Sequence, residues 1–257
     1  MAVRLERQDA IGHIVLDRPP ANSYDRAFME ELEGAIEAAR ADDGVRAIVV
    51  RSASEKFFSA GADVSVFAKT DPDTQSAFVV RANEAMGKLE STPKVVVAAI
   101  NGHCLGGGLE IALCCDFRIA AEGTYKIGLP EVSLGLLPGT GGTQRLPRLI
   151  GKQRALGLLL RGTTLSPQEA RDAGIVDELV SAADLRARAV ALAQEFASGP
   201  SDARGEIKLA AVQGFGKTLD EGLAIERAAL TRVFKSEDAK EGVRAFVEKR
   251  KPDYKGR

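Results

Sequence analysis

The sequence predicts an α/β core followed by a helical region at its C-terminal end. Through residue 198, short apolar runs that suit strands alternate with segments whose apolar residues recur at helical spacing. From Ser201 onward no strand-like run appears, and the remaining segments have the pattern of amphipathic helices. A cluster of helix-breaking residues, Ser198 to Ser201, separates the two parts. We therefore predict a core over residues 1–198 and a helical region over residues 199–257.

Each element of the core is predicted from its apolar pattern and from the breakers that flank it. Short apolar runs bounded by turn residues indicate buried strands. In the first predicted helix, Leu32 and Ile36 lie on one apolar face. A capping box formed by Ser166 and Glu169 marks the start of a later helix. The predicted strands are 12–17, 46–50, 94–100, 117–120 and 176–180, and the predicted helices are 26–40, 77–90, 109–115, 166–174 and 182–196.

Three amphipathic helices are predicted in the C-terminal region, over residues 203–212, 219–234 and 238–251. Short helices of this kind cannot bury all of their apolar side chains by themselves. We therefore expect this region to pack on the core or on a neighbouring subunit. The apolar positions concerned are Leu223, Leu230, Val233, Val243 and Phe246.

The bulk properties exclude several functional classes. The chain has 257 residues, and its formal net charge is −1 from 35 basic and 36 acidic side chains, so neither nucleic acid nor an anionic membrane is an expected partner. The basic run Lys249 to Lys251 is better explained as a solvated helix end. No stretch has the length and apolarity of a transmembrane helix, and the N-terminus lacks an apolar signal core. A cytoplasmic location is expected.

Metal chemistry finds no support in the cysteines and histidines. The cysteines at 104, 114 and 115 form no Cys-x-x-Cys pair, and the chain has only two histidines, at 13 and 103. His103 lies near the stretch discussed next, where a hydrogen-bonded structural role is expected of it rather than that of a base. Cys104 is expected to be a small buried thiol.

The stretch from Asn101 to Asp116, NGHCLGGGLEIALCCD, carries the clearest chemical signal. Three glycines, 106–108, join an apolar strand to an apolar helix, and Glu110 lies in the first turn of that helix. Glycines let the backbone approach a ligand, and the first N–H groups of a helix lack internal partners. The apolar neighbours of Glu110 favour a raised pKa, which suits a general acid or base.

An ordinary glycine-rich turn is the competing interpretation of this stretch, since Glu in a first helical turn is common. Two other glycine motifs are excluded by spacing. A dinucleotide-binding motif that starts at Gly106 would need glycine where Ile111 stands. A phosphate loop that ends in Gly216-Lys217-Thr218 would need glycine where Ala211 stands.

Two further segments could complete a site. The small residues of 59–63, SAGAD, follow another predicted strand and could supply a second N–H donor. A plain loop in which Asp63 caps a helix explains them equally well. Glu131 follows Pro130 at a predicted helix start, where a carboxylate is also stabilised by the helix dipole.

Together, in this order and spacing, three stretches resemble the crotonase family, the enoyl-CoA hydratases and isomerases. They are 59–63, 101–110 and 129–146, the last running from Leu-Pro-Glu to Gly-Gly-Thr-Gln-Arg-Leu. The resemblance covers nearly the whole chain. It implies a crotonase-like spiral of ββα units with a C-terminal helical region used in trimer formation, and two trimers that can stack into a hexamer.

The resemblance also implies roles for individual residues. The backbone N–H groups of Ala60 and Gly107 would form an oxyanion hole around a thioester oxygen. Glu110 would activate water, and Glu131 would deliver a proton to the α-carbon. The residues that would hold coenzyme A are Lys56, Ala60, Gly61, Ala62, Asp63, Phe246 and Lys249. Of these, Phe246 and Lys249 would come from this subunit or from a neighbouring one.

Hydration of a trans-2-enoyl-CoA to a 3-hydroxyacyl-CoA, as in fatty acid β-oxidation or related acyl-CoA metabolism, is the activity that the resemblance favours. Isomerases of the family often keep a carboxylate at the Glu131 position only, whereas this chain has glutamate at both positions. Double-bond isomerisation, another reaction on a specialised acyl-CoA, and a non-catalytic binding or assembly role are the alternatives. The resemblance implies no dissociable cofactor and no metal, because coenzyme A is part of the substrate.

The chain departs from common family forms at several positions. Cys104 replaces a small alanine, Ser65 stands where many members carry a lysine, and the segment 20–25, PANSYD, is unusual. These departures leave the acyl specificity open. We expect the acyl pocket to be walled by the helix between residues 66 and 89 and by residues 134–137.

Overall fold

The computed structural model describes residues 1–256, without the side chain of Phe67. The strands are β1 Val3–Gln8, β2 Ile11–Leu16, β3 Ala47–Ser52, β4 Phe57–Ser59, β5 Val95–Ile100, β6 His103–Leu105, β7 Phe117–Ala121, β8 Ile127–Gly128, β9 Thr164–Leu165 and β10 Glu178–Val180. The helices are α1 Arg26–Ala41, α2 Val64–Phe67, α3 Pro72–Ser91, α4 Gly107–Leu113, a 3₁₀ helix Glu131–Leu134, α5 Gly142–Ile150, α6 Lys152–Leu159, α7 Pro167–Asp172, α8 Leu185–Ala197, α9 Ser201–Gly214, α10 Leu219–Val233 and α11 Glu237–Val247.

The larger sheet has six strands in the order β1-β2-β3-β5-β7-β10. β1 and β2 form an antiparallel pair with Val3 opposite Leu16, and the other neighbours are parallel. β2 and β5 are buried at every position, which explains their continuous apolar runs. The edge strand β1 carries charged residues and was not predicted from its pattern.

A smaller sheet in the order β4-β6-β8-β9 was also not predicted, because its strands are only two or three residues long. β4 and β6 run parallel, with Phe57 opposite His103. Parallel strands end at the same edge of a sheet. The loop after β4 and the glycine turn after β6 therefore meet at one edge, and this small sheet positions the site.

Helices cover the sheets. α1 buries Phe28, Leu32 and Ile36 and packs against α3 and β1, whereas α8 packs against β3 and β5. α3 starts earlier than predicted, at Pro72 rather than Ala77. The reason is that the Asp71 carboxylate caps the helix by accepting from the N–H groups of Asp73 at 3.0 Å and Thr74 at 2.9 Å.

Residues 199–256, within the predicted C-terminal region, fold into helices and connecting loops, as predicted. α9 is tied to the core by Lys208, whose ammonium donates to the carbonyls of Leu89 and Lys94 at 3.0 Å and pairs with Asp116 at 2.8 Å. α10 packs on α9. The division of the chain at residue 198 stays a prediction. Across residues 1–256, no helix combines the length and apolarity needed to span a membrane.

Candidate active site

A cavity of about 750 Å³ lies beside the edge where β4 and β6 end. Its lining includes Ala60 and Ala62 from the loop after β4, Gly107 at the start of α4, and Glu131 from the 3₁₀ helix. Both predicted wall segments face this cavity. Their apolar lining residues are Phe78, Val79, Val80, Leu134, Leu136 and Leu137.

The glycine turn before α4 is a point of close contact between chain segments. Gly106 has a φ of +54°, and a Cβ there would lie 2.9 Å from Glu131 Oε1. A Cβ on Gly107 would overlap the hydroxyl of Tyr24, and one on Gly108 would overlap the carbonyl of Ser59. The absence of side chains therefore allows three segments to converge on the first turn of α4.

The N–H of Gly107 is a free donor at the cavity. Among the hydrogen bonds of residues 1–256 it has no acceptor, as expected for the first residue of a helix. Gly61, from the other small-residue loop, packs directly on it, since a Cβ on Gly61 would lie 2.8 Å from Gly107 N. The two loops are thus in contact, and the helix dipole adds positive potential at this point.

Ala60 does not supply the second donor, which corrects the prediction made from the sequence. Its N–H already donates to the carbonyl of Ala21 at 2.9 Å. That hydrogen bond fixes the loop after β4 and leaves the N–H unavailable to a ligand. Ala60 does line the cavity, but not through a free amide.

Ala62 carries the free amide of this loop. It forms a parallel bridge with Tyr24, in which the Tyr24 N–H donates to Gly61 O and the Asp63 N–H donates to Tyr24 O, each at 2.9 Å. In such a bridge the N–H and C=O of the central residue point away from the partner strand. The Ala62 N–H has no acceptor within residues 1–256, so Ala62 and Gly107 each bring a free donor to the cavity lining.

The Glu110 carboxylate lies just behind the lining, with only 2% of the residue exposed. Its Oε1 accepts from the N–H groups of Thr140 at 2.8 Å and Gly142 at 2.7 Å, and its Oε2 accepts from the Thr140 hydroxyl. Burial raises the pKa of Glu110, and these hydrogen bonds oppose the rise. The carboxylate is therefore both desolvated and firmly oriented.

Glu131 is surrounded differently. Its Oε2 is buried and, within the described part of the chain, has no hydrogen-bond partner. Burial raises its pKa to about 7, its own backbone N–H opposes the rise, and the charge of Glu110 adds to it. At neutral pH this side chain can therefore both hold and release a proton.

Comparison with known proteins shows the family of the chain. The family model for enoyl-CoA hydratase/isomerase matches residues 6–257. The chain belongs to this family. A probable enoyl-CoA hydratase of Bacillus subtilis (strain 168) is 38% identical over 257 residues, which is 99% of each chain. A crotonyl-CoA hydratase of Syntrophomonas wolfei is 36% identical over 251 residues, covering 97% of this chain and 96% of the relative.

The fold is also that of the family. The crystal structure of an enoyl-CoA hydratase from Bacillus anthracis superposes with a TM-score of 0.93 at 38% identity, covering 100% of both chains. This likeness confirms the predicted crotonase-like α/β fold with its C-terminal helices. The family acts on acyl-CoA substrates, so the cavity is the candidate active site of an acyl-CoA enzyme.

Residues that the family resemblance assigned to coenzyme A lie in several places. Asp63 caps α2 by accepting from the Ser65 N–H at 3.1 Å, next to the cavity. Lys56 is exposed on a separate surface groove beside His103. Phe246, which is 86% exposed, and Lys249 lie at the end of α11. Their contacts with coenzyme A stay predictions.

Two neighbouring residues have structural roles, as predicted. His103 Nδ1 accepts from the Lys126 N–H at 3.2 Å, and its ring packs against Phe57 with centroids 5.2 Å apart. Cys104 is fully buried, and burial raises the pKa of its thiol well above the usual range. Neither side chain lines the cavity.

Tyr24 and Thr140 line the cavity and were not predicted from the sequence. Thr140 lies within the stretch 129–146 that carries the family resemblance, where it was given no role of its own. Tyr24 stands in the unusual segment 20–25, and that departure from the common family form was the one signal that could have identified it.

Proposed function

We propose that this protein is an enoyl-CoA hydratase that adds water reversibly to a trans-2-enoyl-CoA to give a 3-hydroxyacyl-CoA. One observation carries the proposal. Glu110, which is buried, and Glu131, which is half-buried, lie in contrasting surroundings beside a cavity that also presents the free backbone N–H groups of Ala62 and Gly107. Relatives named enoyl-CoA hydratase and crotonyl-CoA hydratase support the same activity.

The backbone donors would stabilise the charge that develops during the reaction. When the oxygen of water bonds to the β-carbon, the electrons of the double bond move onto the thioester oxygen. The N–H groups of Ala62 and Gly107 would bind this enolate oxygen. A fixed donor of this kind is typically worth about 10²–10³ in rate.

The two glutamates would move the protons. Ionised Glu110 would take a proton from the attacking water, and protonated Glu131 would give its proton to the α-carbon. One proton leaves the water and one reaches the substrate, so the step is balanced, and proton exchange with solvent resets the pair. The mechanism uses water and side chains of the protein, with coenzyme A as part of the substrate.

The proposal extends to substrate binding and assembly. Lys56, Asp63, Phe246 and Lys249 would contact the nucleotide end of coenzyme A, and a homotrimer or a dimer of trimers would form through the C-terminal helices. Exposed apolar side chains on α10 and α11 support this assembly, among them Leu223, Leu230, Val243 and Phe246. Light scattering after gel filtration would measure the mass, and a monomer at micromolar concentration would exclude the assembly.

The test is turnover of crotonyl-CoA and of a long-chain trans-2-enoyl-CoA, followed by loss of the conjugated enoyl absorbance and by product analysis. We expect formation of 3-hydroxyacyl-CoA that Glu110→Gln abolishes. Glu122→Gln is the matched control, because Glu122 is exposed on the surface outside the cavity lining. A folded protein that hydrates neither substrate would contradict the proposal for unbranched enoyl groups.

Isomerisation of a 3-enoyl-CoA is the second candidate. It is favoured by the free Oε2 of Glu131, because a single carboxyl group with a pKa of about 7 can shuttle a proton between two carbons. Incubation with a 3-enoyl-CoA distinguishes the two reactions. Accumulation of the 2-enoyl-CoA without a hydrated product would replace the hydratase proposal with an isomerase.

A further inference from the structure

Two residues that line the cavity, Tyr24 and Thr140, carry almost fully buried hydroxyl groups next to Glu110. Tyr24 is 2% exposed, Thr140 is 3% exposed and Glu110 is 2% exposed. The Tyr24 ring is held between aromatic side chains, with its centroid 6.2 Å from that of Phe28 and 6.1 Å from that of Phe78. These three side chains are almost completely shielded from bulk water, so their polar groups need hydrogen-bond partners within the protein or on a ligand.

Proton counting gives the direction of the hydrogen bonds. The Thr140 hydroxyl has one proton, and it donates that proton to Oε2 of the ionised Glu110. The Thr140 oxygen then keeps only acceptor capacity. The Tyr24 hydroxyl oxygen is 3.5 Å from the Thr140 oxygen, so in this state Tyr24 is the donor across that contact.

We propose that Tyr24 and Thr140 are positioning residues that form a hydroxyl relay, from Tyr24 to Thr140 to Glu110, which keeps the Glu110 carboxylate ionised and oriented. The assignment of Glu110 as the base rests on the proposed function, but the relay itself is a property of the folded protein. The contact at 3.5 Å is long, so Thr140 has the larger effect and Tyr24 acts through it.

The surrounding charges allow the relay to operate. Arg145 is the cation that faces Glu110, and its charge favours the ionised carboxylate. Other titratable groups nearby are Cys114 directly after α4, Glu131 across the cavity, and Glu90, which pairs with Arg145 at 2.9 Å. Burial, with the charge of Glu110, raises the pKa of Tyr24 far above neutrality, so the phenol keeps its proton.

The backbone of Tyr24 connects the relay to the donor loop. Its N–H and C=O hold the bridge that turns the Ala62 N–H toward the cavity, while its hydroxyl packs on Gly107. Replacing the side chain by phenylalanine leaves these backbone bonds in place. Tyr24→Phe therefore removes the hydroxyl alone.

The experiment is an infrared pH titration of the whole protein labelled with ¹³C in the glutamate carboxyl groups. The Glu110 band is assigned by its loss in Glu110→Gln. A hydrogen bond to a charged group is worth about 1.5–3 kcal/mol, so Thr140→Val is expected to raise the Glu110 midpoint by about one to two pH units. Tyr24→Phe is expected to raise it by about 0.3 pH units.

The decisive comparison is the double variant. If Tyr24 acts through Thr140, then Tyr24→Phe adds no shift in the Thr140→Val background, and Thr140→Ser restores the wild-type midpoint. A Tyr24→Phe midpoint equal to wild type, or a shift that adds in full to that of Thr140→Val, overturns the relay. Thr140→Ala replaces Thr140→Val if the valine variant does not fold.

Tyr125→Phe is the matched control. It also removes a buried phenol hydroxyl, whose single proton lies between the carbonyls of Ala121 at 2.6 Å and Ile100 at 3.1 Å, away from Glu110. It should leave the Glu110 midpoint unchanged. Hydration of crotonyl-CoA with unchanged midpoints would overturn the relay alone, whereas the expected midpoints without hydration would overturn only the proposed function.

Discussion

Glu110 and Glu131 are the same residue type beside one cavity, and their surroundings differ. Glu110 accepts hydrogen bonds from the backbone and hydroxyl of Thr140 and from the Gly142 N–H. Glu131 has an oxygen without a partner within the described residues. Burial raises the pKa of both, but only Glu110 has strong hydrogen bonds that oppose the rise. The difference lies in the donors around each carboxyl group.

This contrast teaches how one fold can separate an acid from a base. A carboxylate that accepts several fixed donors is stabilised in its charged form, and one without donors is stabilised as the neutral acid. The donors of Thr140 and Gly142 therefore favour the ionised form of Glu110, which can act as a base. The packing of Glu131 against the glycine turn favours its protonated form.

The largest expected effect is on turnover. Glu110→Gln and Glu131→Gln should each lower kcat for crotonyl-CoA hydration by about 10²–10⁴, because each removes a proton-transfer group. Binding of a saturated acyl-CoA, measured by calorimetry, should persist in both. Full activity in either variant would show that the corresponding glutamate takes no part in the reaction.

Gly107→Ala should disrupt the backbone donor at the cavity beside the two glutamates. The new Cβ would overlap the Tyr24 hydroxyl and displace the N–H, so kcat should fall by about 10² or more. Gly34→Ala in α1 is the control, since a Cβ there meets no atom within 4 Å. Equal kcat values for the two variants would contradict the role given to the Gly107 donor.

The pH profile of kcat/KM should show the ionisation of both Glu131 and Glu110. The rate should fall as pH rises through about 7, where Glu131 loses the proton it must donate. It should also fall on the acid side as Glu110 becomes protonated, at a pH above the ordinary range of glutamate. A rate that stays constant from pH 6 to pH 9 would rule out Glu131 as the acid.

The free energy of unfolding should also differ between the two Glu→Gln variants, and this effect is smaller than the effects on turnover. The folded-state pKa of Glu131 is raised, so its charge destabilises the fold above about pH 7 and has no such effect below its unfolded pKa. Glu131→Gln should therefore increase the free energy of unfolding at pH 8 by about 1–3 kcal/mol, and by much less at pH 4.

Glu110→Gln should give no comparable gain at pH 8, because it weakens the hydrogen bonds that the Thr140 and Gly142 donors make. Urea unfolding at both pH values measures the difference. Equal changes for the two variants would show that hydrogen bonding does not separate the surroundings of the two glutamates.

Local patterns were sufficient for much of the fold. The buried strands β2 and β5 are continuous apolar runs, and α1 has apolar residues at helical spacing. These two strands and this helix were therefore predicted from the sequence. The small sheet was missed because strands of two or three residues carry no measurable alternation. Their pairing is decided by long-range contacts.

By itself the sequence determined the order of the elements, the glycine turn, both glutamates and, through the combination of motifs, the family. Only the tertiary structure decided which amide in the Ser59 to Asp63 loop is free, because that depends on Ala60 donating to Ala21 and on the bridge between Tyr24 and Ala62. It also brought Thr140 and Tyr24 to Glu110 from 30 and 86 residues away. Hydrogen-bond partners that are distant in the chain leave no spacing pattern, so local sequence could not specify them.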